Sequence, residues 1–193
     1  MSVTAWVIAV VVAAIVIVGL LLWRARRRRN LQQRFGPEYE RVVARHGDRG
    51  TAERELRTRE RRHAELDISE LSEADRLRYR EEWLRIQAGF VEDPSQAVNA
   101  ADGLVTRLMS DMGYPTGEFE EQADTLSVEH SRTLGRYRLA HEIQTANERH
   151  EASTEELRQA FVHYRTLAEE LLGTATADTA VGSEQPTQPR NPS

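Results

Sequence analysis

Asp93-Pro94-Ser95-Gln96-Ala97-Val98-Asn99-Ala100-Ala101-Asp102-Gly103-Leu104-Val105-Thr106-Arg107-Leu108-Met109-Ser110-Asp111-Met112-Gly113-Tyr114-Pro115 has a start signal, a periodic body and a stop signal. Asp93 is a helix N-cap, Pro94 suits the first helical position, and Gln96 completes a capping box. Ala97, Val98, Ala101, Leu104, Val105, Leu108, Met109 and Met112 recur at the three-to-four spacing of one helix face. Gly113 is a natural stop, and Tyr114-Pro115 enforces it. The stretch predicts one long buried helix, and its neighbours repeat the grammar.

Upstream, Asp67 to Leu71 reads as extended, with Ile68 and Leu71 available for packing. Ser72-Glu73-Ala74-Asp75 then opens a helix with Ser72 as N-cap. Tyr79, Trp83, Ile86 and Phe90 fall on one face, and Leu77, Leu84 and Val91 are expected to widen it. Downstream, Thr116 opens a short helix holding Phe119, Ala123 and Leu126. Ser131 caps the next, with Leu134, Tyr137, Leu139, Ala140, Ile143 and Ala146 as its apolar set. Ser153-Thr154-Glu155-Glu156 is another capping box. It leads into Leu157, Ala160, Phe161, Tyr164, Leu167, Ala168, Leu171 and Leu172, and Gly173 ends the helix. The short connections make neighbouring helices antiparallel. Residues 67–172 are therefore expected to form an all-α bundle of two helical hairpins and a linking helix. No strand pattern appears. Residues 173–193 offer little to bury and are expected to be a disordered tail.

The first third of the chain reads differently. Val3 to Trp23 is apolar almost throughout, and Arg24, Arg26, Arg27, Arg28 and Arg29 follow at once. About 20 residues at 1.5 Å each span roughly 30 Å, the thickness of a bilayer's hydrocarbon core. No positive n-region precedes the run and no small-residue cleavage site ends it, so a retained anchor is expected rather than a signal peptide. The arginines all lie on its C-terminal side, which predicts a single-pass plasma-membrane protein with the N-terminus outside and the C-terminal domain cytoplasmic. The expected organisation is a transmembrane anchor over 1–23, an Arg-rich helical stem over 24–66, a cytoplasmic helical domain over 67–172, and the tail.

Within the stem, Gly36-Pro37 interrupts the first helix, and Pro37 starts a second that stops near Gly47. His46-Gly47-Asp48-Arg49-Gly50 reads as a turn. Thr51 can cap a helix from Ala52 to about Leu66. That helix is thin in apolar residues and crowded by Arg57, Arg59, Arg61 and Arg62, so it is expected to be mostly solvated or to lie on anionic lipid.

All 26 basic residues are arginine, and cysteine is absent. The absence of cysteine excludes disulfides, thiolate metal sites and cysteine nucleophiles. Residues 24–62 hold 14 Arg against 6 acidic residues, while residues 63–193 hold 12 Arg against 25. The basic part is expected to contact an anionic inner leaflet through Arg24, Arg26, Arg27, Arg28 and Arg29, and the acidic part to stand away from it. Nucleic acid is disfavoured, because only Phe35 and Tyr39 are interleaved with these arginines and no binding motif accompanies them.

Motif searches return no catalytic constellation. Glu60-Arg61-Arg62-His63 is half of a di-iron ligand set, and His141-Glu142 lacks the second histidine of a zincin because position 145 is Thr145. There is no phosphate-binding loop, dinucleotide fingerprint or nucleophile elbow. No metal and no cofactor are expected.

The Arg-flanked apolar run, Arg34-Phe35-Gly36-Pro37-Glu38-Tyr39, Trp83 with Phe90-Val91-Glu92-Asp93-Pro94, Ala101-Asp102 with Leu104-Val105, Gly113-Tyr114-Pro115, and Arg165 with Leu167 together carry a resemblance. Over residues 1–172 the chain resembles a family of uncharacterised single-pass, membrane-anchored helical proteins of high-GC, actinobacteria-like bacteria. The resemblance implies an architecture and no catalytic residue.

The function expected on these grounds is a membrane-anchored helical interaction module, an adaptor or scaffold with an unidentified protein partner. Its contact surface is expected at Arg57, Arg59, Arg61, Arg62 and Trp83, the last because an indole N–H needs a partner when buried and so favours rims and interfaces. Two alternatives stand beside it. One is a small helical enzyme or ligand-binding bundle using Glu82, Asp102, His141 and Glu142. The other is an anionic-lipid sensor acting through residues 37–66.

Overall fold

Among the described residues the backbone forms eight helices: α1 (Val3–Phe35), α2 (Pro37–His46), α3 (Arg49–Ala64), α4 (Glu73–Gly89), α5 (Pro94–Asp111), α6 (Phe119–Leu126), α7 (Ser131–Glu148) and α8 (Thr154–Leu171). They come from a computed structural model that describes residues 3–173, without the side chains of 3–5, 7–11, 13, 24 and 27. The chain is all-α, with no strand among the described residues. The tail expected over 173–193 lies, apart from Gly173, outside them.

The caps account for most boundaries. Ser72 accepts the Asp75 N–H at the head of α4, and Asp93 accepts the Gln96 N–H at the head of α5. Ser153 and Glu156 form the reciprocal box on α8. At α3 the cap is Asp48 rather than Thr51: its carboxylate accepts the Thr51 N–H at 2.7 Å, so the helix starts three residues earlier than expected. Asx side chains reach the N2 or N3 amide from this position. After α5, Gly113 takes φ 94°, and a Cβ there would lie 2.4 Å from the Asp67 carbonyl oxygen. Glycine thus lets residues 67–71 pass alongside, where Ser69 N–H donates to the Met112 carbonyl at 3.0 Å.

The chain divides into two compact units. The first comprises, of the described residues, 3–65 together with 124–132. Its core holds Leu31, Phe35, Tyr39, Val42, Ala52, Leu56 and Val128. The expectation that α3 is mostly solvated is corrected by this packing, because Ala52, Leu56 and Arg59 are buried. Two apolar positions, Ala52 and Leu56, suffice when Val128 packs in the same core.

The second unit comprises, of the described residues, 66–123 and 133–173. Helix α5 lies at its centre, packed on both α4 and α8. Val98, Ala101, Leu104, Val105, Leu108 and Met109 of α5, and Ala160, Tyr164 and Leu167 of α8, are fully buried. Leu134, Tyr137 and Ala140 place the inward face of α7 in the same core.

The single-pass, plasma-membrane assignment, with its outside N-terminus and cytoplasmic domain, is also corrected. Among the described residues no helix is long and apolar enough to cross a membrane. Helix α1 then continues without a break through the arginines until Leu31 and Phe35 enter the core of the first unit.

Candidate interaction site

Trp83 lies at the centre of the strongest candidate. It projects from α4 onto Phe161 of α8, with ring centroids 4.9 Å apart and planes at 30°. Phe90 also packs against Phe161, with ring centroids 4.8 Å apart. Trp83 is only 8% exposed, and its indole Nε1 is buried without a hydrogen-bond partner. Beside it runs a groove of about 270 Å³ between α4 and α8, walled by Trp83, Leu84, Ala168 and Leu172. Arg80, Arg165 and Glu169 form its charged rim, with Arg165 and Glu169 paired at 3.6 Å.

The outer edge of the groove continues into an exposed apolar stripe. Leu77, Leu84 and Val91 are 50%, 63% and 88% exposed. They were expected to widen the core face of α4, and the structure places them away from it. The helical period explains the difference. Tyr79 and Trp83 already fill the covered side of α4, against Asp111 of α5 and Phe161 of α8, and a seven-residue spacing drifts only about 20° per step, so these three share a separate stripe. Lone exposed leucines are ordinary, whereas a row beside an apolar groove is a candidate contact surface.

The residues of the enzymatic alternative are only partly brought together. Asp102 accepts a hydrogen bond from the Tyr164 hydroxyl at 2.8 Å, and His141 Nδ1 lies 4.0 Å from the same carboxylate. That Nδ1 is buried without a hydrogen-bond partner. The Phe119 ring stacks on the imidazole at 3.7 Å, and Tyr137 donates to Gln122 at 3.1 Å. Glu82 instead pairs with Arg107, and Glu142 is exposed. The cluster joins α5, α7 and α8 in one polar layer. Sequence spacing gave no sign of Tyr164 or Phe119 in it, since both sit at ordinary apolar positions.

Burial, then the Asp102 carboxylate, pushes the Tyr164 and Tyr137 hydroxyls well above their ordinary range. Burial, then a hydrogen bond to Asp111, pushes the Tyr79 hydroxyl up to about 12. A folded-state pKa above the unfolded value of about 10 means that the folded chain holds protons the unfolded chain has released. The stabilisation is complete below pH 10 and is lost as pH rises toward the folded values. Urea midpoints should therefore fall steadily between pH 10 and 12. A flat profile there would contradict the burial of these hydroxyls.

The arginines of α3 do not act as one surface. Arg59 is buried and Arg57 half-buried, while Arg61 and Arg62 are exposed. Arg59 Nη1 donates to Glu38 at 3.2 Å, and Nη2 lies 2.9 Å from Asp124 and also engages Glu55. It is an internal counter-charge in the first unit. Arg57 donates to Glu53 at 3.1 Å. Arg54, Arg57, Glu60 and Arg61 line a shallow polar depression in which Arg54 and Arg61 donate to the hydroxyls of Thr51 and Thr58. Arg26 and Arg29 are exposed and Arg28 half-buried, while Arg24 and Arg27 lie outside the described side chains. Among the described residues no group of three or more His, Asp or Glu side chains is placed to hold a metal ion.

No protein-family model matches this chain, and no curated protein and no solved structure matches it either.

Proposed function

We propose that this protein is a non-enzymatic helical interaction module, an adaptor or scaffold, and that it binds through the α4–α8 face of its second unit. The observation that carries this reading is the exposed stripe Leu77, Leu84 and Val91 flanking the groove beside Trp83. Interfaces place apolar and aromatic side chains at the centre and charges at the rim, and Arg80, Arg165 and Glu169 occupy that rim here.

A second reading, a ligand-binding or catalytic bundle, has one observation in its favour. His141 Nδ1 and Asp102 approach each other in a half-buried polar layer without a hydrogen bond between them.

A photo-crosslinking residue introduced in place of Leu84 in the producing cell separates the two. A discrete protein adduct at position 84, absent when the same residue replaces the exposed Gln159 on α8, is expected of an interaction face. Capture at neither position would remove the support for this face and leave the Asp102–His141 layer as the better site.

A further inference from the structure

Arg54, Arg57, Glu60, Arg61 and Ala64 of α3 line a depression of about 440 Å³. Arg57 and Arg61 lie three and seven residues beyond Arg54, so the three guanidinium groups issue from one strip of the helix about 10 Å long. Their charges are unequally compensated. Arg57 Nη2 donates to Glu53 at 3.1 Å, and Glu60 is paired with Arg34 at 3.3 Å. Arg54 instead donates to the Gly50 carbonyl at 3.3 Å and the Thr51 hydroxyl at 3.0 Å, and Arg61 to the Thr58 hydroxyl at 3.2 Å. Asp48, the carboxylate that feels Arg54, is already engaged by the Thr51 N–H and hydroxyl, both at 2.7 Å. Neutral acceptors fix where a guanidinium lies without cancelling its charge. Two positive charges are thus left at one hollow, and Arg57 Nε beside it is buried without a hydrogen-bond partner.

We propose that this depression is a binding site for a phosphate-monoester dianion. A phosphate monoester carries close to two negative charges near neutral pH and three strong acceptor oxygens. That matches two uncompensated guanidinium groups, whereas a carboxylate would leave one of them unmatched. Each guanidinium has five N–H donors in a planar fork suited to phosphate oxygens, and the helix takes only two from Arg54 and one from Arg61. Arg59 takes no part, because Glu38, Glu55 and Asp124 already surround it. The site belongs to the first unit and stands independently of the α4–α8 reading. A soluble phosphate monoester and a lipid with a bare phosphate headgroup offer the same chemistry.

The full-length chain is titrated at pH 8 with sodium phosphate, and separately with sodium chloride of equal ionic strength, while the arginine Nε–H resonances are followed by NMR. Phosphate should produce saturable shifts at Arg54, Arg57 and Arg61, and chloride should not. Arg54→Gln and Arg61→Gln change exposed positions and should keep the fold. Each should weaken the apparent phosphate affinity at least fivefold, and the double variant should lose saturation. Arg62→Gln, exposed but outside the depression, should leave the affinity within twofold. Co-sedimentation with phosphatidic acid vesicles, against phosphatidylglycerol vesicles of equal surface charge, names the source. A preference for phosphatidic acid that the double variant loses assigns the site to a lipid phosphate. Saturable phosphate binding without that preference assigns it to a soluble monoester. Chloride shifts as large as those from phosphate, or an Arg62→Gln loss equal to that of the double variant, would mean diffuse charge attraction and overturn the site.

Discussion

Replacing Arg59 by alanine is expected to cost about 3–5 kcal/mol, the range found when one member of a buried ion pair is removed. Arg59 and Glu38 have side chains only 3% exposed, and the guanidinium also serves Asp124 and Glu55. Charges out of water are tolerable only while their partners remain, and alanine removes a cation shared by three carboxylates. Arg59→Met should recover some of the packing and little of the loss, because its stem fills space without supplying charge. Arg62→Ala, on the exposed side of the same helix, should change stability by less than about 0.5 kcal/mol. Amide exchange in α2 and α3 is the measurement. Protection there that survives Arg59→Ala would show the network to be solvated.

This network also shows where the sequence stopped being legible. Helix positions followed from local chemistry: Ser72, Asp93 and Ser153 cap the helices they were expected to cap, and Gly47 and Gly113 end α2 and α5. Such signals act within three or four residues and need no tertiary context. Glu38, Arg59 and Asp124 are spread over more than half of the described chain; helical spacing puts Arg59 on the Ala52–Leu56 face, but only the fold brings Glu38 and Asp124 to it there. The same limit applies to the α4 stripe. Leu77, Leu84 and Val91 have the composition of core residues, and only the neighbours of α4 decide which of its two apolar faces is covered. Trp83 was legible as a special residue from its indole N–H alone. The groove beside it required α8, about 80 residues later, to be in place.

Leu108→Ala is the complementary test, in the second unit. Leu108 is fully buried on α5, the helix that packs against both α4 and α8. Truncating it removes apolar surface and leaves a cavity that close-packed neighbours fill only in part, so the expected cost is about 2–5 kcal/mol. Leu84→Ala deletes the same atoms from the same residue type at a site 63% exposed, and should cost less than about 0.5 kcal/mol. The pair therefore separates core from contact surface without reference to any partner. Urea unfolding monitored through α5 and α8 amides gives both values. If Leu108→Ala proves nearly neutral, α5 is not the centre of the unit. If Leu84→Ala proves as costly as Leu108→Ala in dilute, uncross-linked protein, Leu84 is already covered within the single chain, and the stripe is core rather than a face for another molecule.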